Sequence, residues 1–149
     1  MIFKEIDISF LNDLVEVFIE AFNSEPWNDE WTIDSASKRL QQMIRCDGFY
    51  GLAAYSEDKL VGLILGNCEY YYDGIDFVVK EFCVDKNIKG KGIGSILLDE
   101  FTSRLKNKEI RRIILNTCRG EATEGFYIRK GFNTIEDMIC MSKEIWYEY

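Results

Sequence analysis

A glycine-rich turn between an apolar run and a helical pattern has the residue types that bind anions. The turn reads Lys89-Gly90-Lys91-Gly92-Ile93-Gly94. It follows the β-branched run from Phe77 to Val84 and precedes apolar residues that recur at helical spacing up to Leu105. Backbone N–H groups at a helix N-terminus, the helix macrodipole and two lysines all favour a phosphate. The pattern predicts a phosphate-binding turn, and a plain chain reversal by glycine is the simpler alternative.

The spacing of these glycines separates the turn from two other phosphate-binding motifs. A P-loop requires Gly-x-x-x-x-Gly-Lys-Ser/Thr, which does not occur in the chain. A dinucleotide-binding fingerprint would have its third glycine where Ser95 stands. A generic anion-binding module stays open at this point.

The acid–base chemistry of the chain must come from groups other than imidazole, because the sequence has no histidine. A Ser–His or Cys–His nucleophile and the usual zinc sites are therefore excluded, and no metal is expected. Glu81 lies in an otherwise apolar strand, where a carboxylate is costly to bury without purpose, and it is the candidate general base. The alternative is that Glu81 points outward or pairs with Lys80 or an arginine. Cys83 has no histidine to activate it as a nucleophile.

Apolar periodicity predicts the elements that position these residues. The patterns alone indicate an α/β or α+β class for one domain over residues 1–149. The predicted elements are strand Ile2 to Ile6, helices Leu11 to Phe22 and Ile33 to Ile44, strands Phe49 to Ser56 and Leu60 to Cys68, the central strand and helix, strand Arg112 to Asn116, helix Glu121 to Lys130 and a final strand pair after Gly131.

Composition and charge limit the partners. The net charge of −8 disfavours nucleic acid and suits a cationic partner, although it also serves solubility alone. No run of about eighteen apolar residues and no basic-then-apolar leader is present, so neither a membrane span nor a signal peptide is expected and a cytoplasmic location is predicted. The five scattered cysteines are expected to be reduced thiols.

Two aromatic segments are candidates for a substrate-binding role. The loop between the first two helices contains Trp27 together with the acids Glu25 and Asp29, and it either closes over the core as a lid or lines a pocket. The run of tyrosines that includes Tyr71 and Tyr72 forms either an amphipathic rim or a stacking wall for a cation.

A second motif lies downstream of the glycine turn. Residues Gly125-Phe126-Tyr127-Ile128-Arg129-Lys130-Gly131-Phe132 are similar to the Phe-Tyr-x-Lys-x-Gly-Phe segment of the GNAT superfamily of N-acetyltransferases. The turn itself resembles the pyrophosphate loop of that family, Gln/Arg-x-x-Gly-x-Gly/Ala, with Lys89 at the first position. The resemblance covers nearly the whole chain. It implies the GNAT fold, a mixed and mostly antiparallel sheet of six to seven strands with helices on both faces and splayed central strands.

The resemblance also implies roles for individual residues. Acetyl-CoA would be the co-substrate, the backbone N–H of Val84 would polarise the thioester carbonyl, and Tyr127 would be the general acid. The alternative for Tyr127 is a packed aromatic side chain. The residues implied in coenzyme binding are Phe82, Cys83, Val84, Lys89, Gly90, Lys91, Gly92, Ile93, Gly94 and Ser95.

The function implied is transfer of an acetyl group from acetyl-CoA to a primary amine, directly and in a ternary complex. The acidic balance favours a small cationic acceptor of the aminoglycoside or polyamine kind. A peptide or protein N-terminal amine is an alternative acceptor, and a non-catalytic acyl-CoA sensor is an alternative function. GNAT proteins are often dimers, which leaves a homodimer open.

Overall fold

The computed structural model describes residues 1–88 and 90–146 of the chain. It divides into two compact units, Met1–Asn116 and Thr117–Tyr149, which are described separately. Among the described residues, no helix has both the length and the apolar character needed to cross a bilayer.

The first unit is built on a five-stranded sheet. Its strands are β1 (Ile2–Glu5), β2 (Phe49–Ser56), β3 (Lys59–Tyr71), β4 (Gly74–Val84) and β5 (Ile110–Ile114). Their spatial order follows their sequence order; the first three neighbouring pairs are antiparallel, and β4 and β5 are parallel. The helices are α1 (Leu11–Phe22), α2 (Ile33–Ile44) and α3 (Ile93–Lys106). The mixed α/β fold with a mostly antiparallel sheet is confirmed.

Helices cover both faces of this sheet. On one face, the apolar stripes of α1 and α2 pack on β2, β3 and the end of β4, with Phe18, Leu40 and Leu63 buried at the centre. On the other face, α3 inserts Phe101 between two rings of the sheet, 5.6 Å from Tyr50 and 5.2 Å from Phe77 between centroids. Burial of both helical stripes is the main favourable free energy of the unit.

A β-bulge interrupts β4 in its middle. Leu65 of β3 pairs with Glu81, but the next residue, Gly66, pairs with Val79, so Lys80 is the extra residue. Side chains alternate between the faces of a regular strand, so residue 81 would otherwise share the α3 face with Phe77. The bulge moves Glu81 to the face of α1 and α2.

The pairing between β4 and β5 stops before β4 ends. Their ladder joins Ile75–Val78 to residues 110–114, whereas the ladder of β4 with β3 continues to Val84. The second half of β4 therefore has no β5 partner among the described residues. This agrees with the splayed central strands that the family resemblance implies.

The second unit contains one short helix, α4 (Glu124–Arg129). The expected final strand pair after Gly131 is wrong for the residues described, which show neither helix nor strand from 132 to 146. A turn from Ile135 to Met138 takes its place, and the acids Glu136 and Asp137 interrupt the alternation that a half-buried strand needs. The sheet accordingly has five described strands instead of six to seven.

The bounds of β3, β4 and β5 also differ from the sequence prediction. β3 continues through Tyr71 and β4 begins at Gly74, so the aromatic segment belongs to a long hairpin and only Tyr72 and Asp73 form its tip. Cross-strand pairing extends these strands beyond the point where their apolar pattern ends. β5 likewise begins two residues earlier than predicted.

A buried carboxylate attaches β5 to β4. Asp76 is fully buried, and its Oδ1 accepts hydrogen bonds from Nε of Arg111 at 2.8 Å and Nε of Arg112 at 3.0 Å. Nη2 of Arg112 donates to the second oxygen at 3.2 Å. The Arg111 hydrogen bond, with help from Arg112, holds the pKa of Asp76 below its usual range. These contacts compensate the cost of burying the charge.

Replacing Asp76 by asparagine tests this attachment. Because the pKa of Asp76 is lowered, its ionised form stabilises the fold above the usual aspartate pKa, and that contribution is lost as the pH falls below about 4. Asp76→Asn is expected to lower the free energy of unfolding by about 1–3 kcal/mol at pH 7, with the difference shrinking at acid pH. Urea unfolding at pH 7 and at a pH below about 4 measures this difference in the free energy of unfolding. The control is Asp73→Asn, because Asp73 also pairs with Arg111 but is more exposed. Equal midpoints for Asp76→Asn and wild type at pH 7 would contradict the assignment.

Candidate active site

The glycine turn lies at the start of α3, as the sequence predicts. Gly90 and Gly92 have φ angles of +86° and +76°, which favour glycine, and Gly92 is the N-cap of the helix without a side-chain cap. An added Cβ at either glycine would meet nothing within 4 Å. Open space thus lies over backbone at a helix N-terminus, which fits a phosphate group. Lys89 lies outside the described residues.

The chain enters this turn from a fixed point. Asp85 is buried directly after β4, and its Oδ1 accepts a hydrogen bond from the backbone N–H of Asn87 at 2.8 Å. Its Oδ2 lies 3.3 Å from Nζ of Lys59. The Asn87 hydrogen bond is the main cause that lowers the pKa of Asp85. Sequence reasoning missed this residue, although an acid between an apolar strand and a glycine turn is a usable signal.

The N–H of Val84 points to the open edge of β4. The N–H of the next residue, Asp85, donates to the carbonyl of Val61 on β3 at 2.8 Å. Because successive N–H groups of an extended chain point to opposite edges, the N–H of Val84 points away from β3. That edge is the one that β5 leaves without a partner in the described residues. A substrate carbonyl or an added strand is able to bind there.

Glu81 lies three residues before Val84 and is largely buried, with 11% of its side chain exposed. Nε of Arg39, on α2, donates to its Oε1 at 2.8 Å. Burial raises the pKa of Glu81 above the ordinary value of 4.5; Arg39 opposes that increase and the charge of Asp29 adds to it. A carboxylate with a raised pKa inside a protein suits general-base chemistry near neutral pH.

The bulge that aims Glu81 depends on Gly66. A Cβ at this position would lie 1.9 Å from the carbonyl oxygen of Val78, which no side chain tolerates. The glycine therefore lets the backbone of β4 approach β3 closely at the bulge.

The loop between α1 and α2 is fastened to α1. The side chain of Asn23 pairs with both backbone groups of Trp31, at 2.8 and 2.9 Å, and Nε1 of Trp31 donates to Asp29 at 3.0 Å. The ring of Trp27 packs against Phe22, with centroids 5.0 Å apart. The tryptophans anchor the loop, and the anchored loop places the charge of Asp29 where it acts on Glu81. Glu25 lies on the exposed part of the same loop.

Tyr71 and Tyr72 lie at the other end of the β3–β4 hairpin. Tyr72 is fully exposed at its tip, and the hydroxyl of Tyr71 donates to Glu69 at 3.1 Å. Glu81 pairs with Leu65 and Gly74 pairs with Tyr71, and the six residue steps of β3 between these pairs correspond to about 20 Å. The structure does not bring these tyrosines together with Glu81.

Tyr127 lies in the second unit, in the middle of α4. Its ring makes edge contacts with Phe126 and Phe132, with centroids 5.2 and 5.3 Å away. The turn after α4 brings Phe132 back to Tyr127, and the N–H of Phe132 donates to the carbonyl of Tyr127 at 3.0 Å. Burial raises the pKa of Tyr127 to about 12, so its hydroxyl stays protonated throughout the neutral range.

The remaining predicted coenzyme residues occupy β4 and the first turn of α3. Cys83 packs in the core beside α1 and α2, so only its backbone is placed to bind a ligand. Lys91 is exposed, and Ile93, Gly94 and Ser95 are partly buried. Within the described part of the chain, no group of three or more acidic or thiol side chains is arranged to hold a metal ion.

Comparison with known proteins places this arrangement in a family. Residues 14–147 match the sequence model of the acetyltransferase (GNAT) domain. The uncharacterized protein YdhI of Bacillus subtilis (strain 168) is 29% identical over 123 residues, which cover 81% of this chain and 70% of that protein.

Solved structures of other proteins share the fold at low sequence identity. A possible acetyltransferase from Clostridium difficile 630 superimposes with a TM-score of 0.81 at 17% identity, covering 98% of each chain. The aminoglycoside acetyltransferase HMB0005 from an uncultured soil metagenomic sample has a TM-score of 0.70 at 14% identity, covering 97% of this chain and 98% of that one. With the family model matching most of its length, the chain belongs to the GNAT family and is an acetyl-CoA-dependent N-acetyltransferase.

Proposed function

We propose that this enzyme acetylates a primary amine of a small cationic molecule, of the aminoglycoside or polyamine kind. The observation that carries the proposal is the buried Glu81 carboxylate, three residues before a strand N–H that points to an open edge. The negative charge of Asp29 also acts on Glu81 and adds to the increase in its pKa. An ammonium group is attracted to such a site, whereas an anionic acceptor is repelled. The neighbour HMB0005, named as an aminoglycoside acetyltransferase, gives further support.

Each chemical requirement of the reaction has a residue in the proposal. An aliphatic ammonium has a pKa near 10 on the lysine scale, so a proton must leave before the nitrogen attacks, and Glu81 accepts it. The nitrogen then forms a bond to the thioester carbonyl carbon, and the N–H of Val84 stabilises the oxyanion. As the carbon–sulfur bond breaks, the Tyr127 hydroxyl donates a proton to the departing thiolate, and the nitrogen, which still carries one hydrogen more than the amide product, returns a proton to the Tyr127 oxygen.

The glycine turn and the backbone of β4 hold the co-substrate in this proposal. The N–H groups of the Gly90 to Gly94 turn bind its pyrophosphate, and the open edge near Phe82 and Val84 pairs with the pantetheine arm as an added strand. The coenzyme supplies the activated acetyl group. Asp85 fixes the start of the turn relative to β4.

The first test is acetyl-CoA consumption, followed by thioester absorbance because five protein cysteines react with thiol reagents. With a panel of aminoglycosides, polyamines and peptides, turnover is expected for the polycations, with an acidic limb of kcat/KM above the ordinary glutamate pKa. Glu81→Gln should lower kcat/KM about 100-fold and remove that limb, while Glu16→Gln, on the exposed surface of α1, should not. Turnover of peptides alone would contradict the acceptor class.

Tyr127→Phe tests the proton donor. Loss of the hydroxyl should lower kcat roughly 100-fold and leave the Kd of acetyl-CoA nearly unchanged, because the ring contacts with Phe126 and Phe132 remain. Tyr55→Phe removes a hydroxyl from β2 and serves as the control. A kcat equal to wild type would leave Tyr127 as a packing residue.

Gly92→Ala tests the anion turn. The left-handed backbone at this position costs a non-glycine residue about 1–2 kcal/mol, and the new methyl group occupies the open space over the turn. We expect the Kd of acetyl-CoA, measured by calorimetry, to rise at least about tenfold. Gly131→Ala is the control. Gly131 also has a positive φ and open surroundings but lies outside the turn, so its substitution introduces the same backbone strain without changing the turn. Equal Kd values for the two variants would show that the turn does not bind the coenzyme.

A further inference from the structure

Arg39 reaches the candidate base from a part of the chain that the two sequence motifs do not include. It stands 42 residues before Glu81, on α2, and its Nε lies 2.8 Å from Glu81 Oε1. Its side chain is 35% exposed, whereas that of Glu81 is 11% exposed. The pair therefore lies where protein meets solvent, with the carboxylate on the inner side.

The capped start of α2 and its buried face together set the position of Arg39. Thr32 caps the helix, its Oγ1 accepting from the Ser35 N–H at 3.0 Å, while the Ser35 hydroxyl accepts from the Thr32 N–H at 2.9 Å. Ala36 and Leu40 are fully buried on the sheet side of the helix. Arg39, beside Leu40, is thereby carried to the edge of the buried stripe, next to β4.

Among the described residues, the structure gives Glu81 one side-chain hydrogen bond, the one from Arg39 to Oε1. We propose that Arg39 is a positioning residue, which holds the Glu81 carboxylate in one orientation with Oε1 engaged and Oε2 directed to the acceptor amine. In the proton transfer, the bond from the ammonium nitrogen to hydrogen breaks and a bond from Oε2 to hydrogen forms. The resulting neutral acid later releases that proton to water. This proposal rests on the proposed function.

Arg39 also sets the charge that an acceptor meets. The charged groups that act on Glu81 are Arg39 from α2 and Asp29 from the preceding loop. Two carboxylates against one guanidinium leave one negative charge, which a single ammonium neutralises. Because the guanidinium opposes the effect of burial on Glu81, its removal makes the carboxyl group harder to ionise.

The activity test compares Arg39→Gln and Arg39→Lys with the matched control Lys38→Gln, whose exposed side chain pairs with Asp34 on the same helix. Arg39→Gln should shift the acidic limb of kcat/KM to higher pH by about one unit. At pH values below the wild-type limb, kcat/KM of this variant should therefore be about tenfold lower than that of wild type. The KM for the amine should not rise, because a positive charge has been removed. Arg39→Lys keeps the positive charge but lacks the planar guanidinium, so its acidic limb should lie between those of wild type and Arg39→Gln. An Arg39→Gln profile that superimposes on wild type would overturn the proposal.

A second measurement needs no substrate. The Glu81 carboxyl carbon is titrated by NMR in 13C-labelled wild type and Arg39→Gln, with Glu81→Gln used to assign its signal. A midpoint about one unit higher in Arg39→Gln supports the pairing in solution, and an unmoved midpoint overturns it. The well-dispersed spectrum of the variant shows at the same time that it is folded. Failure of the proposed function has a different signature, since wild type would then turn over no amine while the NMR shift would still be seen.

Discussion

The close approach of β3 and β4 at Gly66 is the constraint on which the site depends. No side chain fits there, because a Cβ would lie 1.9 Å from the Val78 carbonyl oxygen. The bulge at Lys80 lies at this approach and changes the face on which Glu81 lies. In a regular strand Glu81 would lie under α3, away from Arg39 and from the loop that contains Asp29. Gly66 thus permits the bulge that turns the candidate base towards α2.

The two carboxylates of β4 show how environment separates groups of the same chemistry. Asp76 accepts hydrogen bonds from two arginines of β5, and its pKa is lowered, so it remains ionised and structural. Glu81 has one arginine, and burial outweighs it, so its pKa is raised. A group whose ionised form is only partly compensated is the better proton acceptor near neutral pH. Asp76, the other acid of β4, is therefore unsuited to that role.

The strand that carries Glu81 also connects it to the coenzyme turn. β4 loses its β5 neighbour after Val78 and keeps β3 as a partner to its end, so among the described residues the second half of β4 has a ladder on one edge only. Asp85 then fixes the chain at the beginning of the turn, and α3 starts at Ile93. The candidate base Glu81, the N–H of Val84 and the glycine turn therefore follow one another along residues 81 to 94, at the end of β4 and the start of α3.

Sequence by itself determined the parts of this protein that depend on local pattern. Helical periodicity placed α1, α2 and α3, alternation and β-branching placed the strands of the sheet, and two motifs identified the family and the glycine turn. Local pattern failed from residue 132 onward, where the expected strand pair does not occur among the described residues, because a strand needs hydrogen bonds from a partner that its own sequence does not specify. Only the tertiary structure decided that Arg39 meets Glu81, that two arginines of β5 pair with Asp76, and that Tyr71 and Tyr72 lie about 20 Å along the sheet from Glu81. These are contacts between residues far apart in the chain, and they arise from strand register and a backbone bulge, which residue types and spacing do not fix.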